Sequence, residues 1–240
     1  MKSVNRRAAL VASLLLVLPF ATLAQDAEAE AEAEASSPIS WSLGATTDYV
    51  FRGLSQTDEG PAFQAGATYT APFGMYAGVW GSNVDFGPGD PNYELDTFIG
   101  YNTDFGDVVN FDIMANRYNY PDAGKSNYWE FIAKTSFWEN YSVTVGYTDD
   151  VFNSDTDGWY YAVGASFPLP ADISLDLSAG KSEFEDGEVG RDYMDWSVAL
   201  GKSFGPLTVT AAYIGTDGDG RDAYGDIADD RFVLSASVGM

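Results

Sequence analysis

The 240-residue chain carries 12 basic against 36 acidic side chains and neither cysteine nor histidine. That balance excludes a nucleic-acid-binding surface, because it repels phosphate backbones. The missing thiols exclude a disulfide framework, and the missing imidazoles remove the usual general base and the commonest metal ligand.

The N-terminus reads as an export signal. Lys2, Arg6 and Arg7 precede an apolar run over residues 8–20, and Thr22-Leu23-Ala24 offers small residues for cleavage. The run is too short to span a bilayer stably, so residues 1–24 are expected to be removed. The remaining chain then holds nine basic and 36 acidic side chains, a net charge of −27. Residues 25–38 include Asp26-Ala27-Glu28-Ala29-Glu30-Ala31-Glu32-Ala33-Glu34, a low-complexity stretch that cannot build a core. An extended, self-repelling periplasmic spacer is expected there.

From residue 39 to residue 240 the chain alternates between period-two segments of about ten residues and two kinds of connection. Short ones fall near residues 71–74, 105–107, 138–140, 168–170 and 205–206. Long acidic ones fall near 53–61, 87–92, 121–126, 149–158, 185–191 and 217–230. Twelve strands can be counted. In one, Tyr93, Leu95, Ile99, Tyr101 and Phe105 oppose Glu94, Asp96, Gly100, Asn102 and Asp104. In another, Trp129, Phe131, Ala133 and Phe137 oppose Glu130, Lys134 and Ser136. Such strands are half apolar, which fits a soluble sandwich as well as a membrane barrel. The export signal and the sorting of short from long connections decide for an all-β, 12-stranded antiparallel transmembrane β-barrel, with short turns in the periplasm and long loops outside.

The aromatic residues agree. Phe73, Phe105, Phe137, Phe167 and Phe204 each fall at a short turn, and Met240 falls in the equivalent place. They predict one rim of an interfacial girdle. Arg117 and Lys181, on the apolar parity near the long loops, are expected to snorkel to the interface, where lipopolysaccharide phosphates are available. In the segment 75–86 the polar Asn83 and Asp85 place Tyr76 and Trp80 on the lipid side. The apolar alternation before Met240 is the feature that barrel-insertion machinery would read, although the chain ends on methionine rather than an aromatic residue.

The segment Asp48-Tyr49-Val50-Phe51-Arg52-Gly53-Leu54-Ser55-Gln56-Thr57 resembles the signature of the TorF family, also called the Gcw_chp family, of proteobacterial outer-membrane barrels classed as porins. Pro61-Ala62 followed by Gly74-Met75-Tyr76-Ala77-Gly78-Val79-Trp80-Gly81-Ser82-Asn83-Val84 is similar to its second block. The resemblance runs from residue 39 to residue 240. It implies a Gram-negative outer-membrane location and a porin activity of unspecified solute. It singles out Asp48, Tyr49, Arg52, Gly53, Ser55 and Gln56.

Parity places Asp48, Arg52, Glu94, Asp96, Asp112, Glu130, Lys134, Asp176 and Asp195 on the inner face as pore-lining candidates. Seven acidic against two basic side chains predict a preference for cations. The motif residues around Arg52 are expected either to hold the first loop over the mouth through ion pairing or to contact solute. Asp155 and Asp157, and Asp217, Asp219 and Asp222, stand at calcium-like alternate spacing, but neither set completes a calcium loop and Asp and Gly are ordinary turn residues. No metal or cofactor is therefore expected. A passive channel for small cationic or neutral hydrophilic solutes is the first reading. The alternative is a plugged barrel that serves structure or partner binding. Enzymatic activity is not expected, since no carboxylate or Ser–Lys constellation stands out.

Overall fold

The computed structural model describes residues 37–87, 91–121, 123–185 and 190–240. The predicted signal peptide at 1–24, and the predicted spacer apart from its last two residues, lie outside the described residues. The strands are β1 (Ile39–Thr46), β2 (Val50–Phe51), β3 (Leu54–Ser55), β4 (Ala62–Thr70), β5 (Met75–Asn83), β6 (Tyr93–Phe105) and β7 (Val109–Asn119). They continue as β8 (Tyr128–Phe137), β9 (Tyr141–Thr148), β10 (Gly158–Leu169), β11 (Ile173–Phe184), β12 (Tyr193–Phe204), β13 (Leu207–Thr216) and β14 (Arg231–Gly239). A short helix, α1 (Gly218–Tyr224), lies in the last long loop and is followed by a 3-10 turn over Gly225–Ala228.

Twelve strands form a closed antiparallel barrel in sequence order, with β1 paired to both β4 and β14. Closure leaves no sheet edge unpaired, which is what permits strands to cross a bilayer. β2 and β3 pair only with each other. The turn after β10 falls at residues 170–172, slightly later than the Pro-Leu-Pro sequence suggests, with Ala171 and Asp172 at positive φ.

The two faces separate as alternation predicts. On β6, Tyr93, Leu95, Ile99, Tyr101 and Phe105 are exposed, while Glu94, Asp96 and Phe98 are buried. Phe73, Phe105 and Phe204 project at the short-turn rim, joined by Met240. Near the opposite rim, Arg117 stacks its guanidinium over Trp129 at 5.5 Å, and Lys181 pairs with Glu183. An exposed apolar belt of this extent would aggregate in water and is at home in hydrocarbon. Val163, 58% exposed in mid-strand on β10, tests this face. Val163→Arg is expected to destabilise the barrel by about 2–4 kcal/mol, the cost of a cation at the bilayer midplane. Urea titration in lipid measures it, and a cost within about 0.5 kcal/mol, as on an ordinary water-facing surface, would remove Val163 from hydrocarbon.

One strand corrects the sequence reading. Tyr76 and Trp80 point inward and are buried, and Val79 between them is outside. The polar Asn83 that suggested the opposite parity is not a lumen residue. Its amide closes the ladder end, accepting from the Phe63 N–H and donating to the Pro61 carbonyl. The rings fit inside because each lies over a glycine. A Cβ on Gly100 would come 2.1 Å from the Tyr76 hydroxyl, one on Gly78 would come 2.4 Å from the Phe98 ring, and one on Gly66 would come 3.2 Å from Trp80. Glycine on one strand and an aromatic on the next is a recurrent way of filling a barrel interior.

Candidate functional site: the lumen and its inserted loop

The chain leaves the barrel wall at Thr46, earlier than parity suggested, so Asp48 and Arg52 belong to the first loop and not to the wall. The loop turns at once into the β2–β3 hairpin. Val50 pairs with Ser55 and Phe51 with Leu54, leaving Arg52 and Gly53 at φ 49° and 81°. Two successive positive φ values are those of the type I′ turn, which twists in the sense two-residue hairpins need. The central tetrapeptide of the motif, Phe51-Arg52-Gly53-Leu54, is therefore a tight hairpin tip.

Its contacts place the hairpin across the lumen. Arg52 Nη2 donates to Glu130 Oε1 on β8 at 2.6 Å, and its guanidinium lies 4.0 Å from the Tyr160 ring on β10. A Cβ on Gly53 would come 2.7 Å from Thr216 Cγ2 on β13 and 2.9 Å from Asp195 Cβ on β12. On the other side, Tyr49 stacks edge-on against Trp80 of β5 at 5.4 Å and donates its hydroxyl to Glu94 on β6 at 3.2 Å.

Asp48 organises the root of the loop. Its Oδ1 accepts from Ser55 Oγ at 2.7 Å and Thr57 Oγ1 at 3.0 Å, and its Oδ2 accepts from Arg231 Nη1 on β14 at 2.8 Å. Arg231 also reaches Glu59 at 3.5 Å. The loop is thus joined to the wall at both ends by buried, charge-assisted hydrogen bonds, the kind whose loss leaves an uncompensated charge.

Seven of the nine candidates sit on the inner face of the wall, Asp48 and Arg52 sit on the first loop, and together they do not form one ring. Glu130 takes Arg52 and the Tyr118 hydroxyl, the latter at 2.8 Å. Asp96, 0% exposed, accepts from Asn116 at 3.2 Å through one oxygen, and among the described residues its other oxygen has no partner. Asp112 accepts from Tyr76 and Asn102, and Lys134 faces it in register on β8. Asp195 accepts from Tyr160. Asp176 accepts from Ser166 and Ser174, at 2.7 and 2.8 Å. Burial, and after it the neighbouring Glu94, pushes the phenols of Tyr49 and Tyr120 well above their usual range, so both remain donors. Of the remaining motif residues, Gln56 donates its side-chain amide to the Leu54 carbonyl, which keeps it within the loop.

Sequence parity missed Arg231, although it stands two residues before Val233 on the inner face of β14. It also missed the phenols of Tyr118 and Tyr120, whose hydrogen bonds satisfy the buried carboxylates.

The interior is divided lengthwise. β5 to β8 fill their side with Tyr76, Trp80, Phe98, Met114 and Ile132. The inner faces of β9 to β14 carry many small side chains, such as Thr144, Gly164, Ser178, Ser197 and Ala212, beside the larger Tyr160, Tyr193 and Ile214. Ser178 is inward by register and yet exposed, hydrogen-bonded to Ser197 at 2.8 Å, so water-accessible space lies beside it.

The acidic loops show turn chemistry. Asp217 caps α1 by accepting from the Gly220 N–H at 3.0 Å, and Asp219 and Asp222 lie within that helix. Asp157 accepts from the Tyr147 hydroxyl, and the Asp155 N–H donates to Asp150. Among the described residues no three carboxylates gather closely enough to hold a metal ion.

Solved structures share this barrel. The NanC porin superposes with a TM-score of 0.54 at 10% identity, covering 83% of this chain and 98% of that one. The KdgM porin does so with a TM-score of 0.55 at 8% identity over 83% and 98%. KdgM in complex with disordered oligogalacturonate gives 0.53 at 7% identity over 83% and 97%. At such identities the likeness establishes the porin fold. No curated protein matches the sequence. The family model described as "bacterial protein of unknown function (Gcw_chp)" matches residues 30–238, nearly the whole chain, and the protein belongs to that family.

Proposed function

We propose that the protein is an outer-membrane channel of narrow bore for small hydrophilic solutes, neutral or cationic, with its first loop inserted as a constriction. The observation that carries this reading is an inward hydroxyl, Ser178, that stays exposed inside a barrel whose first loop reaches from Trp80 on β5 to Thr216 on β13. The shared fold of the NanC and KdgM porins supports it, and so does the porin activity implied by the TorF-like motif. An oligogalacturonate ligand is not carried over from KdgM, because an anionic sugar would meet Glu94, Asp96, Asp112, Glu130, Asp176 and Asp195 inside. Export through the N-terminal signal, insertion by the machinery that reads the last strand, and lipopolysaccharide contact at Arg117 and Lys181 complete the proposal. We read the barrel as non-enzymatic, on the same chemical ground as before: His and Cys are missing from the sequence.

Single-channel recording of the refolded protein tests the proposal. Small conductance steps with a cation-selective reversal potential are expected. Asp176→Asn, on the hydroxyl side, is expected to lower cation selectivity, whereas Asp96→Asn, shielded from water, is expected to leave it unchanged. A plugged barrel is the second reading, favoured by the close tethering of the loop at Glu130 and Arg231. Silence both of the wild type and of variants that release the hairpin would establish that second reading and sink the channel.

A further inference from the structure

Above the hairpin, between it and the long loops, lies a cavity of about 120 Å³. Half of the residues that line it are aromatic. Tyr118 and Tyr128 stack at 4.6 Å, Tyr128 meets Phe152 edge-on at 5.2 Å, and Phe152 meets Tyr120 at 6.0 Å. An engineered apolar cavity of about 150 Å³ takes up benzene, so this one has room for a small organic body.

Two carboxylates open into it, and they differ. Glu130 is neutralised by Arg52. Glu94 has only the phenols of Tyr49 and Tyr120 and, among the described residues, no ion pair with a cation. Asp96 lies two residues along the same face, with one oxygen unpartnered among the described residues. A buried carboxylate without a counter-charge calls for a cation, and aromatic faces around it favour one whose charge is spread over methyl groups.

The loop that closes the cavity is strained. Phe152 sits at φ 51°, ψ 30°, the left-handed region that bulky residues rarely adopt. That conformation sets its ring against Tyr120 and Tyr128 while leaving it 42% exposed, at the edge of the cavity. Asn153 follows at φ 58°, and this left-handed pair turns the chain so that the Phe152 ring faces the cavity.

We infer that this aromatic vestibule is a binding site for a small organic monocation of the methylated-ammonium class, with Glu94 as its counter-charge and Tyr118, Tyr120, Tyr128 and Phe152 as its cage. The site deepens the channel reading by naming a solute class, but binding is read without any current, so failure of the channel and failure of the site are separate outcomes.

Calorimetric titration of the full chain in detergent provides the test, with choline, its uncharged isostere 3,3-dimethylbutan-1-ol, and glucose as probes. Saturable choline binding, about tenfold or more tighter than the isostere, is expected. Glu94→Gln and Phe152→Ala are each expected to weaken it about tenfold, with heat-modifiable gel mobility showing the barrel intact, and Asp219→Asn is expected to leave it unchanged. Phe152→Ala removes no buried charge, so it keeps the test decisive if Glu94→Gln fails to fold. Equal affinity for choline and its isostere, preference for glucose, or no saturable heat would each overturn the assignment.

Discussion

Arg52→Ala is expected to release the first loop from the lumen and raise the time-averaged conductance by at least tenfold. The substitution leaves a buried carboxylate without its partner. The Glu130 side chain is 3% exposed, its Oε1 is held by Arg52 at 2.6 Å, and its Oε2 accepts from the Tyr118 hydroxyl. Removing one member of a buried ion pair costs about 3–5 kcal/mol, because the other is left charged in a poor solvent. The Arg52 stacking on Tyr160 and Phe51 is lost as well. Water reaching Glu130 relieves the penalty, and undocking the hairpin is the shortest way to admit it. A shift of even 1.4 kcal/mol in the docking equilibrium is tenfold in the undocked population, so the expected rise is a conservative reading of that energy. The double variant Arg52→Ala with Glu130→Ala lacks the stranded charge and should return part of the way, which a double-mutant cycle will show as coupling between the two sites. Hydrogen exchange over residues 47–61 reports the loop independently of current. Unchanged protection there, together with unchanged conductance, would mean that the ion pair does not hold the loop in place.

Much of this architecture was legible because a strand's chemistry is local. Tyr93 to Phe105 and Trp129 to Phe137 show their outer faces through spacing alone, and the phenylalanines at the short turns mark a rim. The β2–β3 hairpin was not read from the sequence, where parity carried the first strand on to Arg52, although its turn residues are there. Arg52-Gly53 between Phe51 and Leu54 is a two-residue turn with glycine in the position that needs positive φ. Its direction was not legible. What draws it inward is Glu130, 78 residues away, and what holds its root is Arg231, 183 residues from Asp48. Parity also tells which face a carboxylate shares but not what else fills the space. Asp96 and Asp176 read alike in sequence, yet one is sealed off beside Asn116 and the other lies along the hydroxyl-lined side. Tyr76 and Trp80 show the same limit, since their inward parity depends on glycines of neighbouring strands.

Gly53→Val should have nearly as large an effect by a different route, with no charge involved. Gly53 is at φ 81°, and a Cβ there would lie 2.7 Å from Thr216 Cγ2, 2.9 Å from Asp195 Cβ and 3.2 Å from the Gly215 carbonyl oxygen. The left-handed backbone alone costs an L-residue about 1–2 kcal/mol, and a β-branched side chain more. The steric conflict is with Cβ and backbone atoms of the wall, which rotamer changes do not move, so the hairpin must withdraw. Withdrawal should give the conductance of Arg52→Ala together with loss of hydrogen-exchange protection over residues 47–61. Gly205→Ala separates backbone strain from wedging. Gly205 has φ 62° in a short turn, and its added Cβ would meet nothing within 4 Å. That variant should lose about 1–2 kcal/mol of barrel stability while leaving the current unaltered. If Gly53→Val and Gly205→Ala behave alike, the hairpin is not pressed against the β12–β13 wall, and the constriction must lie elsewhere. If Gly53→Val opens the channel and Gly205→Ala does not, the fit of a glycine against Thr216 and Asp195 is what closes the lumen, independently of the Arg52 ion pair.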